Sequence, residues 1–286
     1  MRHHKILCPT DFSPGSEPAV GVAVRLVIEA AAELVLFHVW DGPAANVAPP
    51  IVGEVEADPA RDLAVASREA TRAGAPHVTT RLAQGGPGAR IVELLEEDGF
   101  DLCVMGTVGR TGLSRILIGS VTEQVIRHAP CSVLAVHPQS KLAPFEHVLC
   151  PTDFSDSARH ALELAASLVR PGGSITLLHV IELPLATPGE VTMPDLAHVL
   201  DRTSAESLEA WAASLSSTTA LSVRTRSRIG YPGAQTLAAL ESDPTIDLVV
   251  MGSHGRSGIM RALLGSVAEK VVRHASCPVL VARQRS

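Results

Sequence analysis

Apolar and polar positions alternate along this chain of 286 residues in a way that separates short buried runs from amphipathic stretches. In the amino-terminal half, Lys5–Cys8, Leu34–Val39, Val78–Ala83, Asp101–Met105 and Ser132–His137 read as strands. Between them, Ser16–Ala32 carries Val20, Ala23, Val24, Val27 and Ile28 at helical spacing. Further helices are predicted over Asp58–Ala73, Pro87–Glu97 and Ser120–His128, and the Pro and Gly residues of Asp41–Pro50 predict a loop. Runs such as LVLFHV and SVLAV suit strands buried on both faces. Strands alternating with helices require crossover connections, and therefore a parallel sheet.

The pattern then repeats. Cys8–Ser13 (CPTDFS) recurs as Cys150–Ser155, and Arg127–Val136 (RHAPCSVLAV) resembles Arg273–Ala282 (RHASCPVLVA). Met105–Ser120 (MGTVGRTGLSRILIGS) and Met251–Ser266 (MGSHGRSGIMRALLGS) keep the same glycine spacing. The expected fold is α/β: two tandem doubly wound domains, 1–138 and 146–286 with 139–145 as linker. Each has a five-stranded parallel sheet in the order 3-2-1-4-5 with helices on both faces. In that order the CPTDFS turn and the glycine loop are neighbours at the point where strand order reverses, which makes one mononucleotide-sized crevice per half. Strand, glycine loop and helix together predict a phosphate cradle. The glycines allow close backbone approach and positive φ, and the helix start offers unpaired N–H groups. Ser120 and Ser266 read as helix caps as well as phosphate contacts.

Composition narrows the function. A hydrophobic fraction of 46% against 19% charged residues describes a folded chain. A formal charge of −6, with two Trp, one Tyr and five Phe, argues against a nucleic-acid partner. No apolar run approaches the roughly 20 residues that span a bilayer, and no secretory leader opens the chain, so a cytoplasmic protein is expected. Cys8, Cys103, Cys131, Cys150 and Cys277 sit in or beside strand-like runs and read as core residues. No cluster at zinc spacing predicts a metal site of protein side chains. Neither glycine loop holds GxxxxGK[ST], and no nucleophile elbow occurs, so no catalytic residue is assigned and fast phosphoryl transfer is not expected.

With these motifs in place, the chain resembles the universal stress protein family in its tandem, ATP-binding form. The resemblance rests on the CPTDFS turns, the LFHV and LLHV strand endings, and G-x2-G-x9-G-S followed by V-x-E. It implies ATP, with Mg²⁺ carried on the nucleotide, in one site per half. Asp11 and Asp153 would lie near the adenosine, with Pro9 and Pro151 beside them, and the backbones of Val39 and Val180 would meet adenine. Gly106, Gly109, Gly119, Ser120 and Val121 would hold ribose and phosphates in the first half, and Gly252, His254, Gly255, Gly265, Ser266 and Val267 in the second. Arg110 and Arg256 either contact phosphate or stay solvated. Where the second half has Ser253-His254, the common family form, the first has Thr107-Val108, so the second is the half expected to be filled if only one is. His38, His179, His128 and His274 read as structural. The resemblance further implies an intramolecular pseudo-dimer through the last strands, a possible homodimer and a nucleotide-responsive regulatory role in stress. The alternatives are a slow ATP hydrolase and a nucleotide-free interaction protein.

Overall fold

The structure is a computed structural model that describes residues 4–40, 58–109, 118–140, 144–182, 193–217, 219–255 and 264–284, with 193–201 by backbone alone. The predicted loop Asp41–Pro50, Arg110 and Arg256 lie outside the described residues.

The chain divides into two compact units near residue 138. In the first, β1 (Lys5–Pro9), α1 (Glu17–Ala30), β2 (Glu33–Trp40), α2 (Pro59–Arg72) and β3 (His77–Gln84) are followed by α3 (Pro87–Glu97), β4 (Leu102–Gly106), α4 (Ser120–His128) and β5 (Ser132–Val136). The second repeats the plan with β6 (Phe145–Thr152), α5 (Asp156–Leu168), β7 (Val169–Ile181), α6 (Met193–Ser216), β8 (Ser222–Ile229), α7 (Pro232–Ser242), β9 (Leu248–Gly252), α8 (Ser266–His274) and β10 (Val279–Ala282). Pairing is parallel throughout, β3-β2-β1-β4-β5 in the first unit and β8-β7-β6-β9-β10 in the second. Both are the predicted 3-2-1-4-5.

The central strands are covered on both sides. Ile6, Leu7, Leu34, Leu36, Leu102, Val104 and Leu134 are fully buried in the first unit, and Val148, Ile175, Leu177, Leu248 and Val250 in the second. All five cysteines are buried, as expected of core residues, and burial pushes the Cys8 thiol up to about 12. At the amino ends of the strands, Asp101 ties β4 to β1 by accepting from the backbone N–H groups of His4 (2.8 Å) and Lys5 (3.1 Å). Asp247 does the same for Glu146 (2.8 Å) and His147 (3.1 Å). These carboxylates fix the register at which the two central strands start, and so the level at which their carboxyl ends stop.

Helix α4 begins at Ser120 as the sequence predicts, but the cap residue is Gly119, and no side chain caps it. Gly265 takes the same place before α8. Ser120 and Ser266 are therefore the first helical residues and not the caps, since the extended backbone that a cap requires sits one residue earlier. His128 and His274 close their helices as expected, and His128 donates from Nδ1 to the Gln124 carbonyl at 2.8 Å. No helix among the described residues is long and apolar enough to cross a membrane.

Candidate functional site

Two loops meet beyond the carboxyl ends of β1 and β4, where the strand order turns back on itself. The first is the turn after β1. Asp11 Oδ1 accepts from both the backbone N–H (3.1 Å) and the hydroxyl (2.6 Å) of Ser13, which locks the carboxylate against its own turn. Asp153 holds Ser155 identically, at 3.0 and 2.6 Å. Between them the backbone is strained: Phe12 and Phe154 adopt φ of 61° and 64°, a left-handed conformation costly for an aromatic residue, in both copies. Each ring lies against a strand-two imidazole, Phe12 on His38 at 4.6 Å and Phe154 on His179 at 4.5 Å between centroids. His38 and His179 in turn donate from Nδ1 to the Thr10 and Thr152 carbonyls, both at 2.7 Å. These histidines are structural, as expected, and they brace the turn that carries the aspartate. The Phe–His pairs escaped sequence reasoning, because only the β1–β2 register brings residues 12 and 38 together.

The second loop follows β4. Its glycines are not there for positive φ: none of Gly106, Gly109, Gly119, Gly252, Gly255 and Gly265 adopts it. At the strand ends a Cβ would not fit. At Gly106 it would stand 2.7 Å from the Gly15 carbonyl oxygen, and at Gly252 it would collide with Ser157, so these two let the start of α1 or α5 pack on the strand end. At Gly109 it would lie 3.0 Å from Asp11 Oδ2, and at Gly255 2.8 Å from Asp153 Oδ2. The second glycine of each loop is thus the one that faces the carboxylate of the first loop.

Thr107 and Ser253 act as clamps for these loops. Thr107 donates its N–H to Val136 O (3.0 Å), and its carbonyl accepts from Gly119 N–H (2.7 Å), drawing both ends of the loop to one residue. Ser253 repeats this with Ala282 O (3.1 Å) and Gly265 N–H (2.9 Å). Both residues are buried, at 2% and 4% exposure, and each hydroxyl meets an imidazole: Thr107 Oγ1 lies 3.2 Å from His137 Nδ1, and Ser253 Oγ lies 2.9 Å from His254 Nδ1. The far nitrogen of His254, Nε2, is shielded from solvent and meets no polar partner among the described residues. The serines at the helix starts place their N–H groups at the end of the same loop, where an anion finds donors without a competing intrahelical acceptor.

Of the sequence-predicted residues, the structure brings Asp11 to Gly109 and Asp153 to Gly255, and sets Gly119-Ser120 and Gly265-Ser266 at helix starts on the same side of the sheet. Pro9 and Pro151 lie in β1 and β6 at this end. Val39 and Val180 are near the ends of β2 and β7, with Val121 and Val267 in the first turns of α4 and α8. No group of three potential metal ligands occurs among the described residues. A cavity of about 320 Å³ lined by Leu240, Ile246, Asp247, Cys277 and Pro278 lies at the opposite end of the second sheet and contains none of the predicted site residues.

The likeness to known proteins agrees with this architecture. The profile of the Universal stress protein family matches residues 2–137 and again 144–283. The universal stress protein Rv2005c of Mycobacterium tuberculosis is 30% identical over 217 residues, covering 72% of this chain and 69% of that protein. A second from that organism, Rv2623, is 27% identical over 293 residues, covering 98% and 96%. A crystal structure of a universal stress protein from Archaeoglobus fulgidus shares the fold with a TM-score of 0.68 at 23% identity, covering 99% of both chains. A sheet ordered 3-2-1-4-5 in each unit, duplicated turn and glycine loops, and a family profile spanning both units place this chain in the universal stress protein family, in its tandem form.

Proposed function

We propose that the chain binds ATP in one site per unit and acts as a nucleotide-responsive regulator in the stress response. The observation that carries this reading is the meeting, in both units, of an anchored carboxylate with a glycine whose Cβ position lies against it: Asp11 with Gly109 and Asp153 with Gly255. A carboxylate fixed by its own turn accepts from ribose or base donors, and the loop beside it ends on open N–H groups suited to phosphate. The protein residues fit such a group without supplying a metal ligand set, so Mg²⁺ would be held on the nucleotide by phosphate oxygens and water. The buried His254 Nε2 supports the same reading in the second unit, since a shielded nitrogen beside an anion site gains a partner when the anion binds. The chain is proposed to work in the cytoplasm, with no nucleic-acid or membrane partner.

The test is nucleotide content per chain, measured after denaturation and again after saturation with Mg-ATP. Two equivalents are expected, falling to one in Gly109→Val or Gly255→Val and to none in the double variant. No nucleotide, and none taken up on addition, would overturn the proposal and favour a nucleotide-free interaction protein. Release of ADP over many turnovers would assign a hydrolase instead.

A further inference from the structure

The two clamps hold their hydroxyls with histidines that do not correspond in the repeat. In the second unit the imidazole belongs to the next residue of the loop, His254, whose counterpart in the first unit is Val108. In the first unit the imidazole is that of His137, just past the end of β5, whose counterpart in the second is Arg283. Parallel pairing of Gly106 with Val136 sets the residues after the two strands side by side, which is what carries His137 to Thr107. The contact is the same in both units while its source has moved from the loop to the sheet. We propose that His137 is the positioning residue of the first glycine loop, supplying from the end of β5 the imidazole contact that His254 supplies from within the second loop.

The consequence rests on the nucleotide reading above: Val108 does not disable the first site, because the hydroxyl that fixes the loop keeps its partner. A loop whose first residue holds a fixed rotamer presents the Gly109 face and the Ser120 N–H in one arrangement, and binding then forfeits less conformational freedom. Burial holds His137 neutral, lowering it from 6.5 to about 4, so the contact persists unchanged through the physiological range.

The experiment has two arms on the full chain. The first needs no nucleotide: ¹⁵N-histidine spectra and amide exchange compare the wild type with Thr107→Val, His137→Gln and His137→Ala/Val108→His. The His137 nitrogen resonances are expected to shift in Thr107→Val. The Gly119 amide, which donates to Thr107, is expected to exchange faster in His137→Gln and to regain protection in the double variant. The second arm measures ATP affinity at the first site in a Gly255→Val background. A loss of about tenfold is expected in His137→Gln, with recovery to within about threefold in the double variant, the scale of one buried hydrogen bond. Resonances of His137 indifferent to Thr107→Val, or a double variant that restores neither protection nor affinity, would overturn the proposal. If the wild type bound no nucleotide, the function proposed above would fail, and the first arm would still decide the role of His137.

Discussion

A methyl group on Gly106 would meet the Gly15 carbonyl oxygen at 2.7 Å, against unyielding backbone, whereas one on Gly109 would meet only the end of the Asp11 side chain, at an exposed position. Gly106→Ala is therefore expected to lose about 1–3 kcal/mol of stability, as overpacked sites do. Gly109→Ala should stay within about 0.5 kcal/mol of wild type, as exposed substitutions do. Thermal unfolding of the two variants checks the pair, and equal losses would contradict the assignment. His137 carries a second prediction. Its folded-state value is depressed from 6.5 to about 4, so the unfolded chain binds the proton first. Its contribution to stability is complete above about pH 6.5 and is lost as the pH falls toward 4, by an order of magnitude of 3 kcal/mol. Melting temperatures of the wild type should fall more steeply than those of His137→Gln between pH 6.5 and 4.5, and parallel curves would count against the buried neutral imidazole. Sequence alone could name Thr107-Val108 as a departure from Ser253-His254 but not its remedy, because residues 107 and 137 meet only through the β4–β5 register.

At the scale of elements, α6 distinguishes the second unit. Trp211 on this helix packs edge-on against Phe154 at 5.5 Å, while the Arg159 guanidinium of α5 stands 4.4 Å from the Trp211 ring centre. Phe154 is the strained residue that follows Asp153, so a ligand touching the carboxylate is felt one aromatic contact away. In a Trp40→Phe chain, where Trp211 is the one remaining tryptophan, saturating nucleotide is expected to change the tryptophan emission, and Gly255→Val should abolish the change. Emission indifferent to bound nucleotide would break this link. Strand order, helix positions and the start of α4 at Ser120 were legible because apolar spacing and the doubled turn signals agree. The start of β7 was not: the repeat predicts a second strand like Leu34–Val39, yet strand pairing begins at Val169 with Phe145 and slips in register before His147. Gly172, at φ 81°, takes up the bend locally, which apolar periodicity cannot reveal.

Across the whole chain, duplication has preserved geometry while exchanging chemistry. Beneath the first sheet Asp98 lies 3.7 Å from both Lys5 and Arg81. Beneath the second, Asp243 takes Arg226 at 3.8 Å and the Thr245 hydroxyl at 2.5 Å, and Thr245 in turn meets His147 Nδ1 at 2.8 Å. The arginine pair is kept in both units, while the direct contact with Lys5 in the first becomes in the second a relay to His147 through a hydroxyl. The terminal strands β5 and β10, mostly apolar, are the ones through which the family resemblance predicts an intramolecular pseudo-dimer. Separately produced units, 1–138 and 139–286, are expected to associate when mixed, which sedimentation would register, and persistent monomers would refute the pairing. The clamps bear on how such a protein diversifies. Since Gly119 N–H returns to Thr107 O, the segment leaves and re-enters the scaffold through a single doorway, and the hydrogen bond that closes it is made by its two end residues alone. Replacement of that interior by a foreign sequence would leave strand spacing and helix entry untouched, which makes the doorway a natural grafting point for new recognition chemistry.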